Sequence, residues 1–172
     1  FSPAALVGDF EPDVLISRLS PDGAHRWTKT FRVPGEQNAP NLLATADGGA
    51  VLLVNATVAG WRSIVLVRLD PAGGVLWSRA VTGGADFGLG MAGAPGGGFV
   101  VAGASSAWCN GTLDWVLLRF DAEGALQRYW LFGGEGNDFD VHVAAVAGGF
   151  LVAGGSGSFS PTGLDLVLLR YD

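Results

Sequence analysis

The chain holds one cysteine, Cys109, in 172 residues, which excludes an internal disulfide framework. Secretion stays open, and Cys109 reads as a passive small side chain beside Trp108. Histidine is almost as scarce. His25 and His142 have no cysteine or second histidine at metal-ligand spacing, so a zinc site is not expected. Lys and Arg together number ten against sixteen acids, for a net charge of −6. No basic stripe remains to follow a phosphate backbone, so neither nucleic acid nor an acidic membrane surface is an expected partner. No apolar run approaches the roughly 20 residues of a membrane-spanning helix, and no membrane insertion is expected.

Glycine, by contrast, is abundant: 28 residues, most at recurring positions, in a chain that is 49% hydrophobic and 15% charged. That combination describes an all-β core with many turns and argues against disorder. The recurrence is the strongest signal. Asp13-Val14-Leu15-Ile16-Ser17-Arg18-Leu19-Ser20 returns at Ser63–Asp70, at Asp114–Asp121 and at Asp165–Asp172, with offsets of 50, 51 and 51 residues. The expected organisation is a segment at 1–12 equivalent to the end of a repeat, repeats at 13–62, 63–113 and 114–164, and the first strand of a fourth at 165–172. A fixed period of this length marks stacked units that bury their apolar faces on one another.

Each repeat divides into four extended runs. The quoted run is followed by a tight turn, Pro21-Asp22-Gly23, Pro71-Ala72-Gly73 or Ala122-Glu123-Gly124, where glycine suits the positive φ of a hairpin. The second run carries Trp27 and Trp77 in register, with Trp130 displaced by two positions. Third and fourth runs follow, separated by a Gly-rich turn. In the first run both faces are apolar: Ile64 and Leu66 on one, Val65, Val67 and Leu69 on the other. A strand covered on both sides fits four-stranded sheets stacked face to face, as in a β-propeller. The β-solenoid is the rival, but its rung would not need four runs and a hairpin turn per period.

Several motifs carry a resemblance: Asp114, Trp115–Leu118 and Asp121; Trp27 and Trp77; Gly133, Gly134 and Asp138; and Gly148–Gly154. In these the chain resembles a family of tandem repeats of about this length, found in secreted and surface proteins of bacteria and archaea. Arg119 stands where that family usually has lysine, and the first repeat lacks the double-glycine loop. The resemblance implies β-propeller blades on extracellular proteins and no common catalytic residue.

The candidate chemistry is sparse. Arg18, Arg68, Arg119 and Arg170 recur with Ser20, Asp70, Asp121 and Asp172 two residues on. They read as repeated ion pairs or carbonyl caps at a strand end, with a ring of anion-binding guanidinium groups as the alternative. Asp86, Asp138 and Asp140, with Glu135 and Asn137, could offer oxygens to calcium; acids capping tight glycine turns explain them equally. No cofactor is otherwise expected. His142 lies two residues from Asp140, the one conceivable acid–base dyad, and no G-x-S-x-G elbow is present; no catalytic residue is assigned. Trp61 and Trp108, between the fourth and first runs, are the candidate ligand contacts, with a glycan as the partner they would suit. Asn55-Ala56-Thr57 and Asn110-Gly111-Thr112 are sequons, so Asn55 and Asn110 could carry glycans.

The expected function is therefore non-enzymatic: a secreted or cell-surface structural protein that self-associates, head to tail, into a filament or larger propeller array. The assembly strand is Asp165, Leu166, Val167, Leu168, Leu169, Arg170, Tyr171 and Asp172. Phe1-Ser2-Pro3 matches Phe159-Ser160-Pro161, so the chain starts and stops at equivalent points. A carbohydrate-binding propeller and a fragment of a longer surface adhesin are the alternative readings, and a hydrolase ranks behind both.

Overall fold

The structure is a computed structural model that describes residues 14–32, 38–82, 86–107, 113–159 and 163–172, with 38–40, 82 and 86 in their backbone only. Among the described residues there are thirteen strands and no helix. The first sheet is the hairpin of β1 (Val14–Leu19) and β2 (His25–Phe31). The second is β3 (Asn38–Ala44), β4 (Ala50–Val58), β5 (Trp61–Leu69) and β6 (Val75–Thr82). The third is β7 (Asp86–Gly93), β8 (Phe99–Ser105), β9 (Asp114–Phe120) and β10 (Leu126–Phe132). The fourth has three strands, β11 (Asp138–Val146), β12 (Gly149–Ser156) and β13 (Asp165–Tyr171). Every sheet is an antiparallel meander in chain order, and none closes on itself.

Turn chemistry explains the hairpins. Gly23, Gly73 and Gly124 take φ of 84°, 80° and 77°, a region that costs other residues about 1–2 kcal/mol. Asp70 Oδ1 accepts from the backbone amides of Ala72 and Gly74 at 2.7 and 2.8 Å, and Asp121 repeats this with Glu123 and Ala125. These aspartates hold their own turns closed. A bulge also recurs in the first strand of the second, third and fourth sheets, between Asn38 and Asn41, Gly88 and Gly90, and Phe139 and His142.

The two-faced strands do what their pattern predicts. In β5, Ile64 and Leu66 enter a core with Met91, Phe99 and Val101 of the third sheet. On the other side, Val65, Val67 and Leu69 enter a core with Val14 and Phe31 of the first. A third core joins Trp115 and Leu117 to Val141, Phe150 and Val152 of the fourth sheet. The first strands of successive sheets lie close, β7 against both β3 and β11.

The hydrogen-bonded units are offset from the sequence repeats. Strands β3 and β4 fall in the expected repeat 13–62, yet they share a sheet with β5 and β6. The boundary at 62/63 lies inside β5, because a two-residue turn at Ala59 and Gly60 lets the pairing run out to Val58 and Trp61. Trp61 is thus the first residue of a strand rather than part of a connecting loop.

Candidate functional site: two uncovered sheet faces

One joint recurs between sheets. The ring of Trp27 lies over Gly73 in the next sheet's hairpin turn, and its Nε1 donates to the Pro71 carbonyl at 3.1 Å. Trp77 lies over Gly124 in the following turn and stacks on Phe99 with ring centroids 6.3 Å apart. A Cβ at Gly124 would stand 2.7 Å from the Trp77 ring, so this contact needs a glycine. Trp115 crosses from the third sheet to the fourth, where Nε1 donates to the Phe139 carbonyl at 3.2 Å. Trp130, two positions out of register, meets Tyr171 at 5.7 Å and the Arg128 guanidinium at 5.1 Å. Burial there pushes the Tyr171 phenol up.

The same strand positions end differently at the two ends of the stack. Ile64 and Leu66 in β5 are buried, as are their equivalents Trp115 and Leu117 in β9. The corresponding Leu166 and Leu168 in β13 are 83% and 66% exposed. At the other end, Leu15 and Leu19 in β1 are 64% and 57% exposed. Their equivalents Val65 and Leu69 are buried against the preceding sheet. The last sheet thus shows the face that elsewhere covers a following sheet, and the first shows the face that elsewhere covers a preceding one.

The periodic arginines bond to the backbone. Each bonds backbone carbonyls in a turn or at a strand end: Arg18 Nη1 to Gly48 and Pro71, Arg68 Nη1 to Ala50 and Leu69, Arg119 Nη2 to Pro95, and Arg170 Nη2 to Ala147. Arg170 also pairs with Asp172 at 2.7 Å. Arg68 pairs with Asp47 at 2.6 Å rather than with Asp70. Asp47 accepts from Thr45 Oγ1 and the Gly49 amide, and with Arg68 beside it these hold its carboxyl below the ordinary value.

The remaining candidates are scattered. His25 Nε2 lies 2.8 Å from Thr28 Oγ1 on an exposed strand. His142 and Asp140 are both exposed and no hydrogen bond joins them among the described residues; the bulge between Phe139 and His142 breaks the alternation that would set them side by side. Trp61 is 62% exposed. Asn55 Nδ2 donates to the Gly88 carbonyl at 2.8 Å and Oδ1 accepts the Gly88 amide at 2.7 Å, a bridge into the third sheet. Trp108, Cys109 and Asn110 lie outside the described residues, as does the side chain of Asp86. Clefts of about 360 Å³ open between the first two sheets, beside Arg18, Trp27 and Asp70, and between the last two, beside Arg119, Arg128, Trp130 and Tyr171.

No family model matches this chain, and no curated protein matches it.

Proposed function

We propose that this chain is a non-enzymatic assembly module of β-propeller type, its sheets acting as blades. It works outside the cell or on its surface, and joins other copies end to end through its uncovered faces. The observation that carries this reading is the contrast between Leu66, fully buried, and Leu168 in the same strand position, 66% exposed. The chain itself displays what covers such a face: a sheet presenting Val65, Val67 and Leu69 or their equivalents. The exposed Leu15 and Leu19 on β1 are those equivalents. A contact between unlike faces of identical subunits is heterologous, so it continues as a filament or closes as a ring.

Magnitudes set the regime. Four leucines at about 1.5–3 kcal/mol each stand against an association cost of about 4–15 kcal/mol. The contact is therefore of modest strength and governed by concentration. Extracellular placement rests on the resemblance to surface-protein repeats. Sedimentation velocity over rising concentration, with negative-stain microscopy of the top sample, tests the proposal. It expects a ladder of oligomers that collapses to monomer in Leu168→Asp; a monomer throughout overturns it.

A further inference from the structure

We propose that the junction between the third and fourth sheets binds a hard divalent cation of the calcium class through Asp114 and Asp138. Asp138 opens β11 and is completely buried. Its Oδ2 accepts from Ser158 Oγ at 2.7 Å, whereas its Oδ1, also buried, has no hydrogen-bond partner among the described residues. Asp114 opens β9 and is buried as well. Gly133 brings the two together: a Cβ there would stand 2.3 Å from Asp114 Oδ1 and 2.6 Å from Asp138 Oδ2. Those two oxygens are no farther apart than the sum of these distances.

Burying one carboxylate costs several kcal/mol, and placing a second beside it adds repulsion. A cation bound between them offsets both terms. Neutral oxygens lie in the same junction. Ser158 Oγ lies within 3.0 Å of the Gly136 carbonyl, and the Asp138 amide donates to the Leu113 carbonyl at 2.6 Å. Carboxylate, hydroxyl and carbonyl oxygens in an irregular array suit calcium, which accepts six to eight oxygens in flexible geometry, better than magnesium, which demands an octahedron. Among the described residues no third His, Cys, Asp or Glu joins the pair. Glu135 and Asp140, from the same stretch of sequence, are exposed. With two charged ligands the affinity falls in the class of extracellular modules, with Kd of about 10⁻⁴–10⁻³ M.

The test uses the whole chain. Terbium is titrated while tryptophan is excited, since buried Trp115 adjoins Asp114 and can sensitise a bound ion. The expected result is saturable luminescence that calcium displaces, and a rise in Tm of about 3–6 °C at ten times Kd. Asp138→Asn and Asp114→Asn each abolish both responses, whereas Asp140→Asn keeps them. A wild-type chain with no calcium-displaceable signal and an unmoved Tm overturns the proposal.

Discussion

The side-chain amide of Asn55 closes a two-way hydrogen bond onto the backbone of Gly88, donating at 2.8 Å and accepting at 2.7 Å. The bridge ties β4 of the second sheet to the bulge in β7 of the third. Asn55→Ala leaves both backbone groups of buried Gly88 without these bonds, and is expected to cost about 2–4 kcal/mol. Asn55→Asp keeps an acceptor for the Gly88 amide but cannot donate in return, so it falls between wild type and alanine. Urea denaturation checks the order through the midpoint, with the slope unchanged.

The hairpin glycines separate backbone strain from crowding. At Gly23 an added Cβ meets nothing within 4 Å, so Gly23→Ala carries only the cost of its positive φ, about 1–2 kcal/mol. Gly124→Ala carries a similar φ cost and also displaces the Trp77 ring. The larger loss of Tm is expected for Gly124→Ala, with a change in the near-ultraviolet tryptophan dichroism that Gly23→Ala does not show. Equal losses in both variants would remove the Trp77–Gly124 contact from the account.

Asp47 gives stability a sign in acid. The Thr45 hydroxyl, the Gly49 amide and then Arg68 hold its carboxyl below the ordinary aspartate value of 3.8. Asp22 is lowered in the same direction, by Ser20 first and then by the Ala24 amide. A carboxyl depressed in the folded state binds its proton less readily than in the unfolded chain. Its contribution is thus complete above the unfolded value and is lost as pH falls through the lower folded one. Stability is expected to drop below about pH 4, and Asp47→Asn to flatten that drop. Thermal melts between neutral and strongly acidic pH measure it.

Much of the fold is legible in the sequence because its causes are local. A turn needs glycine where φ is positive, and a doubly covered strand needs apolar residues on both faces, as in Ile64–Leu69. Sheet membership has no such local mark. Nothing within Trp61–Leu69 states that its partners are β4 and β6, so repeats drawn from the recurring run cut across the sheets. Asn55 illustrates a second limit: its partner is 33 residues away, and the sequon around it points to different chemistry. Asp138 and Asp140 show a third. Residues two apart share a strand face, but the bulge after Phe139, with Asp140 at φ 52°, buries one carboxylate and exposes the other.

The proposed end-to-end contact makes a prediction that no isologous dimer or unspecific aggregation shares. Leu168→Asp spoils the face of the last sheet and leaves that of the first intact; Leu15→Asp does the reverse. Each variant alone has only one working face and is expected to sediment as a monomer. Mixed in equal amounts, they are expected to form a 1:1 dimer that grows no further, since the surviving faces are complementary and are used up. A mixture that stays monomeric, or either variant dimerising alone, would contradict the account.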